Sequence, residues 1–176
     1  VQIVILIDFS MKFSKLSGRD FFAYIMKHLN LNHLVLGKDH KLGRGGDTSS
    51  EQAKKLLEPE GVEVDIVDPL IDNGLPVSST RIRKAVKQGD LATTERLLGR
   101  KHELDLDEIR FYFNENSPFL RRNDIKQVIP FEGKYAVDLK NGNKAFATKT
   151  YFAEDRIIFD KLPDFDAKNL TFNCLL

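Results

Sequence analysis

The feature that most constrains the fold of this chain is the alternation of strand-like and helix-like segments over its first hundred residues. The opening run from Val1 to Ile7 is almost entirely apolar, which is typical of a strand buried on both faces. Short strands are also predicted at 33–36 and, from an alternating apolar pattern, at 62–66. Strands that alternate with helices pair in parallel, so this part is predicted to be a layered α/β sheet.

Helix signals separate these strands. Ser17 and Asp20 form a capping pair before residues 21–29, whose apolar side chains recur at helical spacing. Thr48 with Glu51 marks the start of another helix. Two more helices are predicted at 79–88 and 90–98, where Gly89 and Gly99 stand at helix ends and Asp90 can cap the second helix.

The pattern changes near residue 102. Short runs rich in β-branched and aromatic residues follow, at 125–131, 135–140, 144–152, 156–160 and 170–176. Asn141 and Gly142 between two of these runs are a strong signal for a two-residue hairpin. We therefore predict two domains: an α/β domain at 1–102 and a small antiparallel β module at 103–176.

The composition of the chain excludes several classes of protein. Its 176 residues are 41% hydrophobic and 30% charged, the balance of a globular protein. No apolar run approaches the roughly 18 residues that a membrane span needs, and a net charge of +1 argues against a general nucleic-acid binder. With Cys174 as its one cysteine, the chain has no internal disulfide, which favours a reducing, cytoplasmic location.

The segment 77–83 (VSSTRIR) is a candidate phosphate site, because it stands directly before a predicted helix. Free amides at a helix start attract an anion, and the helix dipole adds to this attraction. The hydroxyls of Ser78, Ser79 and Thr80 can donate further hydrogen bonds, and Arg83 supplies a permanently charged fork one turn inside the helix. The structural alternative is ordinary helix capping with an arginine on the surface.

The segment 37–46 (GKDHKLGRGG) is a second candidate. Gly37, Gly43 and their neighbouring glycines allow a backbone to approach a ligand closely. Asp39 could accept a hydrogen bond or help to hold a hydrated metal ion. The structural alternative is a solvated surface loop. The segment is not a P-loop, since GxxxxGK[ST] is absent, and the four histidines show no metal-ligand spacing.

Both segments resemble motifs of one family. VSSTRIR closely matches the ISSTxxR signature of the nucleotidyltransferases, and GKDHKLGRGGD is similar to the GxDFxFGxxxxGD loop of the FMN adenylyltransferase module in bacterial riboflavin kinase/FAD synthetases. The opening IDFSMKFSKLSGRDFF and the helical IRKAVKQGDLATTERLLGR are similar to segments of the same module. The resemblance covers residues 1–102 in unbroken order.

The resemblance implies a Rossmann-like nucleotidyltransferase sheet that joins ATP and FMN into FAD and pyrophosphate, with Mg²⁺ and without a covalent intermediate. By the motif match, Ser78, Ser79, Thr80 and Arg83 contact the ATP phosphates, and Ser79, Thr80 and Arg83 are the catalytic group. Gly37, Asp39 and Gly43 would then face the flavin and the nucleotide. The implied partners are these small molecules alone.

The chain departs from the family pattern in three places. The HxGH motif is absent and is expected upstream of Val1; we expect the sequence without it to show negligible adenylyl transfer. His40 and Leu42 replace the two aromatic residues of the glycine loop. The kinase motif GRxLGxPTAN is absent after residue 102, so kinase activity is not predicted. Two alternatives remain: a nucleotidyltransferase with another phosphorylated acceptor, or a flavin- or nucleotide-binding homologue without turnover.

Overall fold

The structure is a computed structural model that describes residues 4, 6–114 and 117–176. The chain divides into two compact units, Val1–Ile71 and Asp72–Leu176. The change of sequence pattern near residue 102 falls inside the second unit. The division into domains at 1–102 and 103–176 stays a prediction.

The first unit is a small mixture of helices and strands. Its helices are α1 (Gly18–His28) and α2 (Ser50–Leu57), and its strands are β1 (His33–Gly37), β2 (Lys41–Leu42), β3 (Thr48–Ser49) and β4 (Glu63–Val67). β1 and β4 pair in parallel, with His33 opposite Glu63, and β2 pairs with β3 in antiparallel fashion. Among the described residues the parallel sheet therefore has two strands, which makes it a minor part of the fold.

Local signals explain where these elements begin and what they bury. The Ser17 side chain accepts the amide of Asp20, as the capping pair predicts. α2 begins after a capping box of Ser49 and Gln52, one residue later than the predicted start at Thr48. The core lies between the helices and one face of the β1–β4 pair; its buried members are Phe22, Leu36, Ala53, Leu57, Val62 and Val64.

The predicted buried strand at Val1–Ile7 is wrong for the residues that can be judged. Residues 1–3 and 5 lie outside the described residues. Val4, Leu6 and Ile7 are in no strand, and Val4 and Leu6 are 74% and 93% exposed. An apolar run becomes a buried strand only beside a hydrogen-bonding neighbour, and neither β1 nor β4 pairs with these residues in the described part of the chain.

The second unit holds two helices and an antiparallel sheet. The helices are α3 (Ser79–Lys87) and α4 (Leu91–Leu98). A short hairpin of β5 (Ile71–Asp72) and β6 (Leu75–Pro76) precedes them. The seven other strands are β7 (Glu103–Asp105), β8 (Tyr112–Phe113), β9 (Pro118–Arg121), β10 (Gly133–Asn141), β11 (Lys144–Phe152), β12 (Arg156–Phe159) and β13 (Asn169–Leu175).

The antiparallel β module predicted after residue 102 is confirmed. Its strands form one sheet in the order β7-β13-β10-β11-β12-β9-β8. The predicted hairpin joins β10 to β11, with Asn141 opposite Lys144 and Gly142 at a φ of 56°. One face of the sheet carries a core that includes Tyr135, Phe152 and Phe172. The protein is thus a mixed α/β fold with a dominant antiparallel sheet.

The strand predicted at 125–131 is wrong, because side chains rather than a neighbouring strand bind its carbonyl groups. Nε2 of His102 lies 2.9 Å from the carbonyl oxygen of Val128, and the Arg122 guanidinium donates to the carbonyl of Pro130 at 3.1 Å. The amide of Ile125 closes a short turn onto Arg122. These bonds occupy backbone groups that a strand would use to pair with a neighbouring strand.

None of the helices in the described residues is long and apolar enough to span a bilayer.

Candidate functional site

The residues singled out from the sequence fall into two groups, one in each unit. Gly37, Asp39 and Gly43 belong to the loop that follows β1, which we call the glycine loop (37–47). Ser78, Ser79, Thr80 and Arg83 belong to the start of α3, which we call the hydroxyl helix start (77–83). Each group is built by different contacts.

The glycine loop is anchored where β1 ends. The carbonyl of Gly37 accepts the hydroxyl of Ser50 at 2.6 Å and the amide of His40 at 3.0 Å. The Ser50 hydroxyl also reaches the carbonyl of His40 at 3.2 Å. Ser50 is buried at the first turn of α2. These bonds form a tight turn that leaves Asp39 exposed at its tip.

Gly43 takes a backbone conformation that requires glycine. Its φ is 77° and its ψ is 179°, a region that side-chain-bearing residues essentially do not occupy. A Cβ at this position would overlap the carboxylate of Asp47 and the backbone of Gly18. The glycine is therefore needed for the close approach of this loop to the start of α1.

Asp47 is the residue that holds this approach together, and the sequence analysis did not single it out. Its Oδ1 accepts the Gly18 amide at 3.0 Å and the Thr48 hydroxyl at 2.9 Å. The amide of Arg44 adds a bond to the carbonyl of Leu16 at 2.8 Å. The Gly18 amide, followed by the Thr48 hydroxyl, lowers the pKa of the Asp47 carboxyl. The sequence signal that could have identified Asp47 is its position as the last residue of the family's glycine-loop motif.

Beside the glycine loop lies an apolar cavity of about 350 Å³, which we call the aromatic cavity. Phe13 lines this cavity. The rings of Phe9 and Phe21 meet the Phe13 ring edge to face, with centroids 5.8 and 6.0 Å from its own. His40 and Leu42 close it from the loop side. A volume of this order suits a small planar ligand, and such sites are usually lined by apolar and aromatic groups.

The hydroxyl helix start presents free donors. Ser78 is the N-cap, and its hydroxyl oxygen accepts the amide of Arg81 at 3.3 Å, so part of the motif performs ordinary capping. In the described structure the amides of Ser79 and Thr80 have no acceptor, as expected for the first turn of a helix. The side chains of Ser78, Ser79 and Thr80 are exposed.

The two arginines of this segment have different environments. Arg83 is exposed, and its guanidinium contacts no carboxylate among the residues that the structure describes. Arg81 instead turns back onto the preceding hairpin. Its Nη2 donates to Oδ2 of Asp72 at 2.9 Å, and its Nη1 donates to the carbonyl of Leu75 at 2.9 Å. Arg83 is thus available to an anionic ligand, whereas Arg81 is already engaged.

The described residues contain no group of three or more His, Cys, Asp or Glu side chains that could hold a metal ion. The histidines have separate surroundings: for example, His33 contacts Asp65 at 3.0 Å and His28 contacts the carbonyl of Tyr24 at 2.8 Å. The first unit therefore offers an apolar cavity. The second unit offers hydrogen-bond donors and the Arg83 guanidinium, which contacts no carboxylate among the described residues. Donors of this kind bind anionic groups, and a cavity of this kind suits planar ones.

The N-terminal part of the chain is similar to a known protein family. The family described as FAD synthetase matches residues 1–81. A FAD synthetase from Listeria monocytogenes is 28% identical over 92 residues, which is 52% of this chain and 37% of that protein. A bifunctional riboflavin kinase/FMN adenylyltransferase from Escherichia coli is 28% identical over 148 residues, which is 79% of this chain and 46% of that protein.

The comparisons also reach the second unit. An alignment over 79% of the chain is longer than residues 1–102, so the Escherichia coli match includes part of the all-β segment. A crystal structure described as a macrolide-efflux protein from Streptococcus pneumoniae shares the fold, with a TM-score of 0.77 and 23% identity, over 96% of this chain and 60% of that one. The chain spans less than half the length of the two curated relatives.

Proposed function

Because residues 1–81 match the FAD synthetase family, which confirms the resemblance drawn from the motifs, we propose that this protein is an FMN adenylyltransferase. It would join FMN and ATP to give FAD and pyrophosphate. The observation that carries the proposal is the presence of the glycine loop and the hydroxyl helix start in family order, each with exposed residues.

The ATP phosphates bind at the hydroxyl helix start in this proposal. The free amides of Ser79 and Thr80, their hydroxyls and that of Ser78 donate to phosphate oxygens. Arg83 adds a charge-assisted pair from one turn inside the helix. An oxygen of the FMN phosphate attacks the α-phosphorus of ATP, and the bond from that phosphorus to the β-phosphate oxygen breaks. Ser79, Thr80 and Arg83 stabilise the negative charge that the leaving pyrophosphate carries.

FMN binds at the glycine loop and the aromatic cavity. The flavin ring is planar and its dimethylbenzene edge is apolar, which suits the apolar cavity lined by Phe13. Leu42 and His40 stand where the family has aromatic residues, and Phe9 and Phe13 supply ring contacts from the other wall. Gly37 and Gly43 let the backbone come close to the ligand, and Asp39 offers an acceptor at the loop tip.

Further parts of the proposal follow the family. When bound, Mg²⁺ would neutralise the charge of the triphosphate, and the exposed Asp39 carboxylate of the glycine loop could contact the hydration shell of such an ion. The first unit contributes to a Rossmann-like nucleotidyltransferase sheet, of which β1 and β4 are a parallel pair. The partners are ATP and FMN, without nucleic acid or membrane, in the cytoplasm.

One alternative function has an observation in its favour. His40 and Leu42 line the cavity where the family's glycine loop has two aromatic residues, which favours a homologue that binds flavin or nucleotide without turnover. Such a protein would form a stable complex with ATP or FMN and release no pyrophosphate.

The test is FAD synthesis by the full-length gene product with FMN, ATP and Mg²⁺, followed by chromatography, together with calorimetric titration of ATP and FMN. FAD formation supports the proposal, and other phosphomonoesters as competitors test whether FMN is the preferred acceptor. Binding of ATP without any FAD would favour the non-catalytic alternative. Failure to bind either ligand would overturn both.

A further inference from the structure

A carboxylate in the second unit joins two helices through their arginines. Oδ2 of Asp72 accepts a hydrogen bond at 2.9 Å from Nη2 of Arg81, which lies in the first turn of α3. Oδ1 of the same side chain accepts a hydrogen bond at 2.9 Å from Nε of Arg96, which lies in α4. Only 15% of the Asp72 side chain is exposed. Its two oxygens are thus divided between the two helices.

The same arginine also binds the backbone of the hairpin that precedes α3. Nη1 of Arg81 donates to the carbonyls of Leu75 and Pro76, at 2.9 and 3.0 Å. The backbone amide of Arg81 is held by the hydroxyl of Ser78 at 3.3 Å. Both ends of this residue are therefore bound to the segment that leads into the hydroxyl helix start.

The direction of the charges shows that Asp72 is not itself a phosphate ligand. A carboxylate near a triphosphate repels it, and this carboxylate is largely covered by Arg81 and Arg96. The hydrogen bond from Arg96, and then that from Arg81, lowers the pKa of Asp72, so the group is ionised at neutral pH. A charged pair of this kind holds its partners in one geometry.

We infer that Asp72 is a positioning residue for the phosphate site: through Arg81 and Arg96 it sets the orientation in which Ser78, Ser79 and Thr80 meet the nucleotide. The inference rests on the proposed function for the identity of the ligand. Because donors to a transferring phosphate act only in a narrow range of positions, a shift of this segment lowers catalysis more than it lowers stability.

The experiment compares the full-length protein with Asp72→Ala, Arg81→Ala, the double variant and the milder Arg96→Gln. Asp155→Asn is the matched control, since Asp155 also binds an arginine, Arg156, at 2.8 and 2.7 Å but lies in the turn between β11 and β12, outside the proposed site. Each variant is assayed for kcat, for KM of ATP and FMN, and for ATP binding by calorimetry, below its thermal midpoint.

We expect Asp72→Ala to lower kcat about tenfold and to weaken ATP binding about tenfold, with KM for FMN unchanged. The double variant should lose less than the sum of the two single losses, because Asp72 acts in part through Arg81. Arg96→Gln should give a smaller loss in the same direction, and Asp155→Asn none.

Unchanged kcat and ATP affinity in Asp72→Ala and Arg96→Gln would overturn the inference while the proposed function stands. Additive losses in the double variant would also overturn it, since they would show independent roles. If the wild type binds ATP but makes no FAD, the variant titrations still decide the inference and the proposed function fails alone. If the wild type binds no ATP, both fail.

Discussion

Oδ1 of Asp47 accepts a hydrogen bond from the amide of Gly18 at 3.0 Å, although the two residues are 29 positions apart in the chain. The bond joins the end of the glycine loop to the first residue of α1. It leaves the loop lying against the helix start and next to the aromatic cavity. The shape of the proposed flavin site therefore depends on one carboxylate that does not itself line the cavity.

Replacing Asp47 with Ala should loosen this loop. The change removes the acceptor of both the Gly18 amide and the Thr48 hydroxyl, which leaves two donors beside a partly buried backbone. We expect a thermal midpoint lowered by roughly 2–6 °C and weaker FMN binding with little change for ATP. Calorimetry and fluorescence titration measure these quantities. Equal losses for both ligands would show that Asp47 supports the fold generally.

The same carboxylate predicts a response to acid. Its pKa is lower in the folded protein than in the unfolded chain, because the Gly18 amide and the Thr48 hydroxyl bind its ionised form. Its contribution to stability is therefore full above the unfolded pKa and is lost as the pH falls through the folded pKa. Denaturant unfolding at a series of pH values below 5 should show a shallower loss for Asp47→Asn than for the wild type. Parallel curves would contradict this assignment.

Gly43 and Gly37 should differ sharply when each is replaced by alanine. Gly43→Ala places a side chain at a φ of 77° and onto Asp47 and Gly18, so we expect a loss of about 1–3 kcal/mol in the free energy of unfolding. Gly37→Ala meets no atom within 4 Å and should cost less than about 1 kcal/mol. Chemical denaturation of both variants decides the matter. A tolerant Gly43 would mean that the loop can adopt another path.

Arg83→Ala should weaken the use of ATP far more than it weakens folding. An exposed guanidinium that contacts no carboxylate in the described part of the chain contributes little to stability, but a charge-assisted bond to phosphate is worth about 1.5–3 kcal/mol, or roughly 10- to 150-fold in affinity. Lys84→Ala is the matched control, since Lys84 is an exposed cation on the same helix. ATP titrations with unchanged affinity for Arg83→Ala would remove Arg83 from the site.

His102 should make the second unit sensitive to mild acid. Its ring stacks on Phe172 with centroids 5.4 Å apart. Burial lowers the pKa of His102 below the ordinary value of about 6.5, although the hydrogen bond to the carbonyl of Val128 acts in the opposite direction. The unfolded chain then takes up a proton that the folded state resists, so stability falls as the pH drops from about 6.5 toward the folded pKa.

The measurement is the free energy of unfolding between pH 7.5 and 5 for the wild type and for His102→Phe. The substitution keeps an aromatic ring on Phe172 and removes the titrating group. We expect the variant to show a flatter pH dependence in this window. An identical slope would rule out His102 as the source of the pH dependence.

Much of the local structure could be predicted because its causes lie within a few residues. Gly89 and Gly99 adopt φ values of 66° and 70° at the helix ends where they were expected. Asp90 caps the next helix through the amide of Thr93 at 3.0 Å. Asn141 and Gly142 form the predicted hairpin. Each of these conformations depends on a residue's own backbone preference or on a partner three or four positions away.

The two motifs of the candidate site could be predicted from the sequence, but the contacts of their side chains could not. VSSTRIR contains two arginines of similar sequence context, yet Arg83 is exposed and Arg81 is bound to Asp72, nine positions earlier. The ISSTxxR signature selects Arg83, but nothing in the sequence shows that Arg81 is bound, because the hairpin that brings Asp72 back to α3 forms only in the folded chain. The roles proposed for Ser78, Ser79, Thr80 and Arg83 stay predictions.

The sequence by itself determined the helix caps and turns, the change to an antiparallel sheet and the resemblance of residues 1–81 to FAD synthetases, since these follow from short motifs and periodicity. The tertiary structure decided the rest: that 125–131 is no strand, that Val4 and Leu6 are exposed, and that Asp47 and Asp72 organise the loops. The physical reason is that a strand, a buried face or an ion pair depends on a partner elsewhere in the chain. Only folding determines which partner that is.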